Sequence, residues 1–175
     1  MNVEVMRSRA EKPDVPASSL KSFASAASSQ LDAVIEMADA LLGLTRAAQG
    51  VTDVAQTVRR IVALLGPAAR VEGKVIEVDG ALDLLGATPA SGTMVRLAVG
   101  EALLAALDKA TRVCCVAHGK GDARPLRIER SNGNGGDGGD IGDTVAIDDA
   151  VLALIAGEGI HIEAEPSAMV ISFPR

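Results

Sequence analysis

The 175-residue chain has no tryptophan, no tyrosine and only two phenylalanines. Single-stranded nucleic acid is commonly held by stacking bases on aromatic rings, so that class of partner loses its main contact. The net charge of −6 argues against nucleic acid generally, because phosphate backbones are gripped by clustered Lys and Arg. No run of about 18 or more apolar residues occurs, so no membrane-spanning helix is expected and no membrane partner. The opening MNVEVMRSRAEKPDVPASS has no apolar signal core. Residues 1–17 therefore read as a polar, disordered lead-in, and the chain as cytoplasmic. Cysteine is also scarce: Cys114 and Cys115 are the pair, and they are adjacent. A disulfide between neighbours is strained, so two reduced, buried thiols are expected. No Ser/His/Asp arrangement, metal-spaced Cys/His cluster or Walker-type loop is present. No catalytic residue and no metal ligand is assigned on these grounds.

What the chain does have is aliphatic. Apolar residues make up 48 %, mostly Ala, Val, Leu and Ile, enough for one domain with a helical extension. A core of this kind packs through many small contacts. From Ser18 to Gly50 the pattern is helical, with Leu31, Val34, Ile35, Ala38, Leu41 and Leu42 on one stripe. Thirty such residues would reach roughly 45 Å, longer than one domain covers, so part of the stripe should pair with a second copy. Ala24 to Ser29 are small enough to let helices approach closely.

Residues 51–175 read as a second region. Thr52 or Asp53 caps a helix with the stripe Val54, Val58, Ile61, Val62 and Leu65, ended by Gly66-Pro67. Lys74 to Leu85 reads as one strand, KVIEVDG, followed by a short apolar segment. Ser91 caps a third helix that buries Val95, Ala98, Val99, Ala102, Leu103, Ala106 and Leu107. Arg112–Ala117 is a strand, His118–Asp122 a hairpin turn and Pro125–Arg130 the returning strand, with Leu126 and Ile128 inward. A glycine-rich loop spans Ser131 to Gly142. A short helix follows around Asp148 to Ala156, then strands over Gly159–Glu165 and Met169–Phe173. This order predicts an α+β fold: a two-layer sandwich of helices on a mostly antiparallel sheet, preceded by a long dimerisation-type helix.

The order and several strings resemble the ATP-binding domain of sensor histidine kinases, the GHKL or Bergerat fold. LALIAGEGIHIEAEPSAMVISFPR is similar to the family's closing helix and strands. VRLAVGEALLAALDKAT resembles its N-box helix, SNGNG its DxGxG box, and LDAVIEMADALLGLTRAAQG the second helix of its dimerisation hairpin. The likeness covers Leu31 to Arg175. It implies a site for Mg-ATP, and the departures bear on that site. The aspartate that would accept from the adenine amino group is Ser131, which forfeits a charge-assisted contact of about 1.5–3 kcal/mol. The magnesium-binding asparagine falls on Ala105. Glu101, one turn earlier, retains a carboxylate suited to magnesium. Gly133 and Gly135 keep the box glycines, whereas the later glycine box is replaced by DTVAIDDAV. No histidine lies in Ser18 to Gly50, so the family's phosphoacceptor is missing as well.

These losses make the chain similar to ChpT-type histidine phosphotransferases, which resemble a kinase core that no longer binds ATP. The resemblance implies a dimeric two-component signalling protein with a degenerate nucleotide site and no cofactor. Its partner would be a response-regulator receiver domain or a histidine kinase. The alternative is a divergent ATP-binding kinase or GHKL ATPase that uses Glu101, the Ser131–Gly135 loop and Mg-ATP. Each candidate also has a plain structural reading. Ser131 to Gly135 suit a solvated connection, Glu101 a solvated edge carboxylate, His118 a turn, His161 a strand surface, and Asp148 and Asp149 a helix cap.

Overall fold

The computed structural model describes residues 17–45, 50–120, 124–132 and 146–175. The expected lead-in (apart from Ala17), the end of the first predicted helix, part of the hairpin turn and most of the glycine-rich loop lie outside the described residues. The chain divides into two compact units, Met1–Asp39 and Ala40–Arg175. Helix α1 (Ala17–Thr45) begins in the first unit and ends in the second. Its Ala and Leu content favours helix throughout.

In the second unit, Ala40 is buried and Arg60 donates from Nη1 to the carbonyl of Gly43 at 3.2 Å. A Cβ at Gly43 would meet that guanidinium, so a larger residue there would make the Arg60 side chain shift. A cation at the C-terminal turn of α1 also complements the helix dipole.

Strand β1 (Thr52–Asp53) leads into α2 (Val54–Val71). Of the two candidate caps it is Asp53 that serves, its Oδ1 accepting from Gln56 N at 2.8 Å. Thr52 is instead buried, and its hydroxyl donates to Ala90 O at 2.8 Å. The predicted stop at Gly66-Pro67 is wrong: α2 runs through it to Val71. A proline forces its predecessor out of the helical region mainly by clashing with that residue's Cβ and N–H, and Gly66 has no Cβ. Burial of Ala69 beyond the proline holds the continuation in place.

The predicted strand after Lys74 is shorter than the apolar run. Strand β2 is Val75–Val78, and Gly80–Leu85 forms a 3₁₀ helix that buries Leu82 and Leu85. Asp79 caps it by accepting from Ala81 N at 2.6 Å. Strand β3 (Ala87–Thr88) pairs antiparallel with β1, a two-residue ladder too short to show in periodicity. Thr88 Oγ1 donates to Pro174 O at 2.8 Å, which ties this ladder to the C-terminal segment.

Helix α3 (Gly92–Lys109) begins at Ser91 as expected, whose Oγ accepts from Met94 N at 3.3 Å. All seven residues predicted for its inner face are buried. Strand β4 (Arg112–Ala117) runs parallel to β2, and α3 is the crossover that a parallel pair needs. Strands β5 (Leu126–Ser131), β7 (Ala168–Ser172) and β6 (His161–Ala164) add antiparallel neighbours, giving the order β2-β4-β5-β7-β6. Helix α4 (Asp149–Ala156) precedes β6 and is capped by Asp148, which accepts from Ala150 N at 2.7 Å. The fold is mixed: helices pack on a five-stranded sheet with one parallel pairing and three antiparallel ones. Val113, Cys115, Leu126, Ile128, Met169 and Ile171 form the sheet's contribution to the core beneath α3. Among the described residues no helix is long and apolar enough to cross a membrane.

Candidate functional site

Strand periodicity decides which residues of β5 can meet α3. Successive side chains point to opposite faces, and Leu126, Ile128 and Arg130 are the buried set. Ser131 is therefore on the opposite face. It is exposed at the strand's end, where it pairs in register with Arg112. Glu101 and Ala105 lie half-buried on a flank of α3, with Leu104 between them 51 % exposed. Ala105 packs against the core cluster. The two α3 candidates thus share a helix flank one turn apart, while Ser131 is set on the sheet face turned away from that helix. Gly133 and Gly135 lie outside the described residues.

The β5 residue that shares a face with α3 is Arg130, which was not singled out in the sequence. It is 4 % exposed. Its Nη2 donates to two carbonyls of the β6–β7 turn, Glu165 O at 3.1 Å and Pro166 O at 2.7 Å. Its Nε and Nη1 are buried without a hydrogen-bond partner. Burial lowers the guanidinium's affinity for its proton. A signal for it existed, because the inward parity of Leu126 and Ile128 falls next on Arg130.

On the other face of the sheet, Arg127 pairs with Glu129 at 3.2 Å and with Glu165 at 2.7 Å. Cys114 also lies on this face, between Glu77 and Glu129 in register. It is only half-buried, not buried as expected, since adjacent strand residues cannot both face the core. Burial raises its thiol, and Glu129, Glu77 and Asp79 raise it further against the lowering effect of Arg112. Cys115, on the core face, is pushed up to about 12 by burial, with Cys114 adding to the effect. Both thiols are free and both stay protonated near neutrality, so neither supplies a thiolate nucleophile.

An open cleft of about 480 Å³ lies at the N-terminus of α3, lined by Gly50, Pro89, Ala90, Ser91, Glu158 and Pro174. Its one carboxylate is already engaged: Glu158 accepts from the backbone N of Ser91 at 2.5 Å and from its Oγ at 2.9 Å. Glu101 is ten residues further along the helix, about 15 Å away, so the cleft is not the predicted site. His118 and His161 are both exposed. Among the described residues no group of three or more His, Cys, Asp and Glu is placed to hold a metal ion.

The residues expected to pair helices are all exposed. In the first unit Leu31 is 61 % exposed, Val34 55 % and Ile35 52 %, and Ala38 is exposed as well. Leu41 and Leu42 are also more than half exposed. No protein-family model matches this chain, and no curated protein matches it in sequence.

Proposed function

We propose that the chain is a histidine-kinase-like signalling protein that does not turn over nucleotide, dimerises through α1 and acts by binding a partner. The carrying observation is the exposed aliphatic stripe Leu31, Val34, Ile35, Leu41 and Leu42 on one helix. Five large aliphatics on one helix face are more than the scattered single exposures ordinary for a surface. The occupant we assign to this face is a second copy. Two 29-residue helices paired along their length, about 43 Å, make a continuous seam that a compact partner would meet over only a few turns. Receiver domains or a histidine kinase would then bind the dimer. The nucleotide side of the reading rests on chemistry. Ala105 offers a metal no ligand atom, and Ser131 lies on the face of β5 away from α3.

Light scattering at tens of micromolar tests the first half, with a dimer expected and a monomer refuting the helix pairing. Calorimetry with Mg-ATP and Mg-ADP tests the second. No binding is expected, and a Kd tighter than about 100 µM would establish the ATP-dependent alternative built on Glu101.

A further inference from the structure

Arg130 is buried, and among the described residues no carboxylate pairs with its guanidinium. Buried ions in proteins are paired, and the cost of leaving one alone is large. Among the described residues, two acids of the neighbouring strand segments, Glu165 and Glu129, are committed elsewhere. Glu165 gives Arg130 its backbone carbonyl while its carboxylate pairs with Arg127 at 2.7 Å. Glu129 also pairs with Arg127, on the opposite face of β5. The two carbonyl contacts fix Nη2 and hence the plane of the guanidinium, leaving the N–H groups of Nε and Nη1 unsatisfied. A planar, oriented guanidinium with free donors matches the oxygens of phosphate and carboxylate. The side chain sits one residue before the exposed Ser131, at the margin of the sheet.

We infer that Arg130 anchors an oxyanion site at the end of β5 that takes phosphate or a carboxylate. The inference is independent of the signalling proposal, because neither the dimer nor the absence of nucleotide turnover enters it.

The test is thermal unfolding of the full chain in inorganic phosphate, in acetate and in chloride at matched ionic strength. Phosphate stabilises many proteins by exclusion from their surface, so Arg130→Met is run in parallel. A specific site should raise the wild-type Tm by about 5–10 °C at about one hundred times the anion's Kd, relative to chloride. In Arg130→Met that increment should vanish. The acetate arm distinguishes a carboxylate site from a phosphate site. The same increment in wild type and Arg130→Met, or none in wild type with either anion, would overturn the inference. Should Arg130→Met fail to fold, the Nε–Hε resonance of Arg130 in arginine-labelled wild type, assigned with Arg130→Lys, gives a second readout. It should move saturably with phosphate or acetate, and a resonance that stays put refutes the site.

Discussion

Helices α1 and α3 are built from much the same residues, and their fates differ. Both are rich in Ala and Leu, and both carry an aliphatic stripe at helical spacing. In α3 the stripe is spent inside the chain: Val95, Ala98, Val99, Ala102 and Leu103 are fully buried. In α1 the stripe from Leu31 to Leu42 is more than half exposed at every large residue. Topology accounts for the difference. Helix α3 connects the parallel strands β2 and β4, so the chain must lay it across their sheet. Helix α1 is not bracketed by two strands of that sheet. An apolar stripe in the sequence therefore says that something will cover it, and connectivity says whether the cover is internal.

Removing side-chain volume from α3 gives the largest expected effect. Leu103→Ala deletes a fully buried side chain and should cost about 2–5 kcal/mol. Urea denaturation checks this, with a lower midpoint at an unchanged slope. A cost below about 1 kcal/mol would mean that α3 is not seated on the sheet as described.

The second effect comes from the sheet surface that the helices cover. Cys115 has its thiol raised from 9.0 to about 12 by burial. Unfolded chains release that proton near the ordinary thiol value while the folded state keeps it. Stability from this group is thus fully present below about pH 9 and declines as pH rises towards 12, by at most about 1.4 kcal/mol per unit. Cys114, on the open face, shifts in the same direction with burial as its first cause. Chemical denaturation between pH 8 and about 11 should therefore show a falling stability that Cys115→Val flattens more than Cys114→Val does. Equal flattening by the two would remove the distinction between covered and open faces.

Much of the second unit was legible because its signals are local and redundant. Ser91, Asp53 and Asp148 announce helix starts by side-chain chemistry, and strand β4 coincides with its apolar run. What escaped depends on tertiary contact. Pro67 is a stop signal until Gly66 removes the clash and the buried Ala69 rewards the extra turn. The run after Asp79 curls into a 3₁₀ helix that buries Leu82, where alternation alone suggests only an apolar segment. At the candidate site, reading Ser131 against a family motif drew attention to the exposed residue. The parity of β5 places Arg130, its neighbour, on the face towards α3. Motif matching locates a box to within a residue, and on a strand one residue changes the face.

The smallest expected effect on stability is also the sharpest test of the comparison. Ile35→Glu places a charge in the middle of the exposed stripe of α1, where the side chain is 52 % exposed. If nothing covers that stripe, the change belongs among ordinary surface substitutions, within about 0.5 kcal/mol. Measured on dilute protein, unfolding should therefore be almost unchanged. If a second copy covers it, the same glutamate meets its own counterpart or an apolar neighbour, and the dimer should dissociate. Wild-type Tm should then rise with protein concentration, because association stabilises the folded state by mass action, whereas the variant's Tm should not. Concentration dependence separates the two cases without any assumption about the partner. A flat wild-type Tm across a hundredfold range would leave α1 exposed in solution and remove the dimer from the proposal.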